Sequence, residues 1–500
     1  MSAKLLMFQG TASHVGKSIM ATAFCRLLRR RGVRVAPFKA MNMSNNAWVT
    51  NDGGEMAYAQ AVQAWACGLT PTVEMNPVLL KPLSEGSSQV IISGRPLDVV
   101  KAADLSSFRG KLLSVIEDSL QTLMHAYDFV VLEGAGSPAE VNLQETDLAN
   151  MVVARKVHAP VVLVADIERG GVFAQIVGTL ELLREEDRAL LVGFLINKFR
   201  GEIELLEPGL RWLKERTGLP ILGVMPFLER LQIPEEDSLG AQRLGSSNSP
   251  PDAASTLTIQ VIRYPTIANF TDFDPLYREP GVCVEYIAQP PSDGKLPDLL
   301  VLPGSRSTIS DLIWLKRSGL DQHILQCVKE GIEVLGICGG FQMLGGMIYD
   351  PSHAESRESA WPGLGLLPVN TLFLPSKVTA QVKAVHLESG EKITGYEIHA
   401  GRPQGARRGS PVFRLEQRAG APVEEWDGCA DHERPIWGTY LHGLFEESGF
   451  RNYLLRRIRT RRGKEPLSAT SPSQEQGSAS AYDALADEVE RHVAVEELLP

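Results

Sequence analysis

No stretch of this 500-residue chain stays apolar for the roughly 18 residues that a bilayer demands, so nothing in it reads as a membrane span. The apolar opening Lys4-Leu-Leu-Met-Phe-Gln9 is too short for a secretory leader and runs straight into a glycine-rich loop, so it reads as a buried strand. Cationic residues are not in excess: 50 Lys and Arg stand against 60 Asp and Glu, a net charge of −10. That balance excludes bulk binding to a nucleic-acid backbone, which requires a basic face. Cysteine is scarce. Cys25, Cys67, Cys283, Cys327, Cys338 and Cys429 form neither a Cys-x-x-Cys pair nor a regular framework, which excludes a disulfide scaffold and suits a reducing cytoplasm. There is no internal repeat. The expected partners are therefore small molecules, with neither a membrane nor a nucleic acid among them.

Apolar runs of four to seven residues alternate with longer helical patterns over 1–228, at Leu5–Gln9, Val33–Phe38, Phe129–Leu132, Pro160–Ala165, Leu190–Ile196 and Pro220–Val224. The intervening segments Ser18–Arg30, Glu55–Cys67, Val172–Arg184 and Ile203–Thr217 have amphipathic spacing. This alternation predicts an α/β domain whose parallel sheet is covered on both faces. Residues 229–256 break the rhythm around Gly245-Ser-Ser-Asn-Ser-Pro-Pro251 and read as a linker. A second α/β domain is expected over 257–462, with strands at Thr258–Ile262, Val282–Tyr286, Leu299–Leu302 and Val334–Ile337. A polar, flexible segment over 463–480 and a docked C-terminal helix over 481–500, with apolar Leu485, Val489, Val493 and Leu498, complete the chain.

The loop Gly10-Thr-Ala-Ser-His-Val-Gly16-Lys17-Ser18 follows a strand and opens a helix. Its backbone N–H groups and the positive helix end suit a phosphate, Lys17 suits the β- and γ-phosphates of ATP, and Ser18 suits Mg2+. Five residues rather than four separate Gly10 from Gly16, which puts Thr11 where the first glycine of the motif usually stands. Such a loop needs a strand-end carboxylate for the metal. Tyr127-Asp-Phe-Val-Val-Leu-Glu133-Gly-Ala-Gly136 provides Glu133, and Asp52 in Thr50-Asn-Asp-Gly-Gly54 is a weaker second candidate. Lys39 ends the second strand, where a cation could neutralise a carboxylate attacking the γ-phosphate. Asp166, Arg169, Gly170, Lys198 and Arg200 fall at the same expected sheet edge.

Gly336-Ile-Cys338-Gly-Gly340 is a strand–turn–helix elbow that presents a thiol in a tight turn at a helix N-terminus. The N–H of Gly339 could stabilise an oxyanion, with a second donor from Leu302-Pro-Gly304-Ser305. His442, in Gly438-Thr-Tyr-Leu-His442-Gly443, is the candidate base for the thiol. A phosphate loop paired with a nucleophilic thiol suggests transfer of glutamine nitrogen onto a carboxylate activated by ATP.

The chain resembles the cobyric/cobyrinic acid amide synthase family over nearly its whole length. The resemblance is carried by Phe38-Lys-Ala-Met-Asn-Met-Ser-Asn-Asn46, Glu133-Gly-Ala-Gly-Ser-Pro-Ala-Glu140, Ala165-Asp-Ile-Glu-Arg-Gly-Gly-Val-Phe173 and Ile196-Asn-Lys-Phe-Arg-Gly201, with Gly336–Gly346, Gly395-Tyr-Glu-Ile-His399 and Gly438–Phe445. It implies a P-loop domain of the dethiobiotin-synthetase type followed by a class I glutamine amidotransferase-like α/β domain. It further implies Cys338 as the nucleophile that forms a glutamyl thioester, Gln342 as a residue holding the glutamine, Asn197 near adenine and Asp147 as a corrinoid-orienting residue. The implied acceptor is (adenosyl)cobyrinic acid a,c-diamide, amidated on its b, d, e and g side chains. The alternatives are the branch that makes the a,c-diamide itself, and an ATP-driven switch whose thiol domain only binds. The first is expected to carry Gly-Pro-Asp-Tyr where this chain has Met41-Asn-Met-Ser-Asn45. Class I enzymes commonly carry His-x-Glu, whereas Leu444 stands two residues after His442. The expectation is thus a Cys–His dyad, for which Glu397 or Glu446 is a substitute acid that spacing does not argue.

Overall fold

The computed structural model of the chain describes residues 3–83, 87–228, 233, 256–355, 358–404, 409–465 and 474–499. The central sheet of the first domain is all parallel, in the order Ile221–Pro226, Leu191–Phe199, Val161–Asp166, Lys4–Gly10, Phe129–Glu133, Val35–Phe38. Its strands are apolar on both sides because both sides are covered. Met7, Val130 and Leu163 join one buried cluster, while Leu6, Phe8, Val131 and Val162 join another on the opposite face. The phosphate loop leaves the central strand, whose neighbours diverge in opposite chain directions; ligands of open α/β sheets collect at that edge.

The second domain repeats the architecture with a different order: Val282–Ile287, Leu257–Ile262, Leu299–Leu302, Glu333–Ile337, Ile436–Thr439, then the short antiparallel Cys429–Ala430. Parallel pairing sets Ile337 beside Thr439, so the chain leaves both strands at one edge.

Three features differ from the sequence-based expectation. The amphipathic stretch Glu55–Cys67 divides into a strand Glu55–Ala57 and a helix Tyr58–Ala66, because Glu55–Ala57 pairs with Ala47–Val49. A small sheet of Met41–Met43, Val78–Pro82, Ser87–Ile92 and Arg95–Lys101 is added to the first domain. In the second, a long antiparallel hairpin, Asn370–His386 with Lys392–Gln404, leads a further sheet where alternating strands and helices were expected.

Those additions make the contact between the domains. Ala47, Val49, Ala57, Leu79 and Ile91 form one buried cluster with Tyr396 and Ile398 of the hairpin. Buried Glu55 accepts from Lys81 Nζ of its own domain at 2.6 Å and from Lys377 Nζ of the hairpin at 2.5 Å. A buried carboxylate persists only when so compensated.

The C-terminal helix spans Gln474–His492 and so begins before the expected 481. It returns to the first domain and lies along the helix Lys17–Arg30, burying Leu485, Ala486 and Val489 beside Phe24 and Leu28. Arg26 pairs with Asp483 at 2.7 Å and Arg31 with Glu496 at 2.6 Å. The expected linker at 229–256 lies outside the described residues except for Ile233 and Thr256, and so does 466–473 of the expected flexible segment. Among the described residues no helix is long and apolar enough to cross a membrane, and all six cysteines are free.

Candidate active sites

The phosphate loop is shaped by glycines where no side chain fits. A Cβ on Gly10 would sit 2.6 Å from Val15 Cγ2 and 3.0 Å from Lys17 Nζ, and Gly16 has φ +103° at the start of its helix. Lys17 Nζ donates to the carbonyls of Ala12 and Gly136, each at 3.0 Å, and thereby joins the loop to the glycine turn after Glu133. Thr11 Oγ1 donates to Gln175 Oε1 at 3.2 Å.

Glu133 is 1% exposed and saturated with donors: Ser18 Oγ at 2.7 Å and Lys39 Nζ at 2.8 Å on Oε1, Gln63 Nε2 at 2.6 Å on Oε2. Strand pairing of Phe8 with Glu133 places this carboxylate beside the base of the loop. Ser18 and Glu133 thus form a hard-oxygen pair of the kind Mg2+ takes together with phosphate oxygens. Among the described residues there is no cluster of three or more His, Cys, Asp or Glu side chains able to hold a metal by themselves.

Asp52 does not join this group. It is exposed in a turn, accepts from Thr50 Oγ1 and carries Arg95 on its carbonyl, while its neighbour Gly53 abuts Thr379 of the other domain. The turn belongs to the domain contact, so the metal role expected for Asp52 is not supported. Asn197 stands behind the loop: Nδ2 donates to Val15 O at 2.8 Å, and a Cβ on Gly16 would fall 2.1 Å from that nitrogen. Its amide nitrogen therefore braces the loop. Lys198 does the same through His14 O and Asp166 Oδ2, both at 2.7 Å, and Arg200 lies over the Phe227 ring at 3.5 Å.

Asp147 also has a local task. Its Oδ1 accepts from the amides of Ala149 and Asn150 at 3.0 and 2.9 Å and its Oδ2 from Val152 at 3.3 Å, at the start of the helix Met151–Val157. These bonds close the turn that leads into that helix, whose N-cap is Asn150. Asn150 in turn clasps Ala135 N and O. Asp147 thus supports the glycine turn at one remove.

At the second site Cys338 has φ +50° and ψ −106°, a backbone state that L residues rarely hold. Close packing enforces it. A Cβ on Gly340 would lie 1.9 Å from Leu302 O, and one on Gly339 would lie 2.8 Å from Ser305 N. The two turns expected to supply oxyanion donors are therefore in backbone contact. Gln342 is 2% exposed and its Oε1 accepts from Thr308 Oγ1 at 3.0 Å. In this geometry Gln342 knits the elbow helix to its neighbour through that oxygen.

His442 is 1% exposed, stacked on Tyr396 at 5.2 Å between ring centroids, and hydrogen-bonded through Nδ1 to Asp272 Oδ2 at 2.7 Å. The other oxygen, Asp272 Oδ1, accepts from Gly443 N at 3.0 Å. The network gives Nδ1 the proton and leaves Nε2 for the thiol. Burial by itself would lower the basicity of this imidazole. The Asp272 carboxylate and the Cys338 sulfur outweigh that and hold it up at about 10. The site therefore has a third, acidic member, which corrects the expected dyad.

Neither substitute acid serves. Glu397 is bonded to Arg418 Nε at 2.7 Å, and Glu446 is pushed up to about 8 by burial and by nearby Asp274 and Asp272. No spacing rule could have found Asp272, which is 170 residues from His442. The one available signal was an acidic residue in the loop after a predicted strand, Thr258–Ile262, at the sheet edge that carries the elbow.

Residues 258–450 match the family model of a CobB/CobQ-like glutamine amidotransferase domain, and residues 6–239 that of a CobQ/CobB/MinD/ParA nucleotide binding domain. Among similar proteins, the cobyric acid synthase of Nostoc sp. (strain PCC 7120) is 47% identical, with 100% of both chains covered. That of Sorangium cellulosum is 46% identical, covering 98% of this chain and 97% of the relative. That of Geobacillus sp. (strain WCH70) is 45% identical, covering 99% and 96%. Matched from end to end at this identity, and built of the two domain types just described, the chain belongs to the cobyric acid synthase family.

Proposed function

We propose that this chain amidates the b, d, e and g carboxylates of (adenosyl)cobyrinic acid a,c-diamide, using ATP to activate each acid and glutamine as the nitrogen source. As a member of its family it is a glutamine-dependent amide ligase. The single observation that carries the two-site reading is the pairing in one chain of a P-loop braced on Glu133 and a Cys338–His442–Asp272 triad, in domains joined by a buried interface.

At the triad, His442, held up at about 10, carries the thiol proton on Nε2 as the Cys338 sulfur attacks the glutamine carboxamide. The Gly339 N–H faces the oxyanion, and the protonated imidazole returns its proton as ammonia leaves. Water attacks the thioester with His442 as base, releasing glutamate and restoring the thiol. At the other site a corrinoid carboxylate oxygen attacks the γ-phosphorus, ADP departs, and an acyl phosphate remains. Ammonia then attacks that carbonyl carbon and phosphate leaves, giving the amide. Lys17 compensates charge on the transferred group. Ser18 and Glu133 would hold Mg2+, which when bound neutralises charge on the phosphates. Lys39, salt-bridged to Glu133, holds that carboxylate in place. Six free thiols suit a reducing cytoplasm.

The test is to follow product mass with Mg-ATP, glutamine and the a,c-diamide. Cys338→Ala should end glutamine use and retain amidation from added ammonium, whereas Lys17→Ala should end amidation from either source. A Cys338→Ala protein that loses both would show that the two sites are not separable.

A further inference from the structure

The loop Met41–Val49 of the nucleotide-binding domain does more than cover its own sheet. We infer that Asn46, the Ala47 amide and Trp48 are positioning residues of the glutaminase triad, supplied from the synthetase domain, so that glutamine cleavage depends on the docking of that domain. The inference rests on the triad assigned above to glutamine cleavage.

Asp272 sits in the short turn Phe270–Phe273, which follows Asn269, held at φ +52°, and whose two phenylalanines are buried in the amidotransferase core. Two polar side chains just ahead of Asp272 are tied across the domain boundary. Asn269 Oδ1 accepts from Ala47 N at 3.1 Å, and Thr271 Oγ1 donates to Asn46 Oδ1 at 3.0 Å. Asn46, Ala47, Asn269 and Thr271 are each at most 2% exposed, so water does not compete for these bonds.

The next residue, Trp48, reaches the other half of the pair. Its ring meets Tyr396 edge-on at 5.2 Å, and Tyr396 in turn stacks on His442; Tyr396 and His442 also exchange backbone hydrogen bonds of 3.2 and 2.9 Å. Three consecutive residues of one domain therefore hold both the acid and the imidazole of the other.

The supporting segment is itself firmly held. Ser44 N donates to Leu80 O and Tyr58 N to Asn46 O, while at its start Lys39 is salt-bridged to Glu133 beside the phosphate loop. A continuous run of chain thus connects the carboxylate of one site with the acid turn of the other. Any coupling through it acts equally in both directions for binding.

The experiment uses the full chain and compares Thr271→Val, which removes the hydroxyl at constant volume, with Thr271→Ser, which keeps it. Glutamate release is measured for kcat and KM, alongside amidation driven by ammonium. The expected result is a fall of about tenfold or more in glutaminase kcat for Thr271→Val with KM within about twofold, as misplacement of a catalytic group produces. Thr271→Ser should stay near the parent, Asn46→Ala should follow Thr271→Val, and ammonium-driven amidation should hold in all three. Equal behaviour of the Val and Ser variants, or a parallel fall in ammonium-driven amidation, would overturn the inference. An unsubstituted chain that releases no glutamate would count against the triad itself.

Discussion

Replacing Asp272 by Asn tests the arrangement around His442 most directly. The carboxylate accepts from Nδ1 at 2.7 Å and from Gly443 N at 3.0 Å, both in a buried setting. An ordinary imidazole titrates near 6.5, and this one is held up at about 10. That difference amounts to on the order of 5 kcal/mol of preference for the charged ring, shared between Asp272 and Cys338. An amide at position 272 removes the charge and can present its N–H to Nδ1, which favours the wrong tautomer. Loss of the acid's charge from such a triad lowers kcat by about 10⁴. Glutamate release should fall by about that factor while ammonium-driven amidation is unchanged. Alkylation of Cys338 by iodoacetamide at neutral pH should slow in step, because less imidazolium remains to stabilise the thiolate. Stability gives an independent check with a definite sign. A folded-state value above the unfolded 6.5 means the charged ring stabilises the fold fully below that pH and loses its effect as pH rises through about 10. The difference in Tm between the parent and Asp272→Asn should therefore be largest near pH 6 and shrink toward pH 10. Glutaminase activity at the parent rate in Asp272→Asn would refute the reasoning.

Asp147→Ala should cost about 1–3 kcal/mol of stability by leaving the amides of Ala149 and Asn150 without their acceptor, measured by urea unfolding, and leave KM for the corrinoid unchanged. A several-fold rise in that KM would restore the corrinoid contact. Leu485→Ala, at a position 1% exposed between the C-terminal helix and the phosphate-loop helix, should destabilise the first domain by about 2–5 kcal/mol. Thermal unfolding with and without Mg-ATP reads this, and a change below about 0.5 kcal/mol would show that the helix is not needed there. Cys338→Ala and Lys17→Ala, assayed with each nitrogen source, separate the two half-reactions.

What could be read from residue order alone is what neighbouring residues determine together. Gly10–Ser18 and Gly336–Gly340 are short, and backbone geometry dictates their residue types. A residue with φ +103° at Gly16, or a Cβ 1.9 Å from Leu302 O at Gly340, admits only glycine. The strands of both parallel sheets announced themselves as unbroken apolar runs because both faces are buried. The antiparallel hairpin Asn370–His386 with Lys392–Gln404 did not, since its burial alternates and is shared between two domains. Asp147 and Asp52 carried acidic character into motif-rich stretches, yet only their hydrogen-bond partners show that each closes a turn, one before the helix Met151–Val157 and one at the domain contact. Asp272 meets His442 only because the strands Leu257–Ile262 and Ile436–Thr439 end at the same edge of one sheet. That adjacency arises from long-range strand pairing, which leaves no local spacing to read.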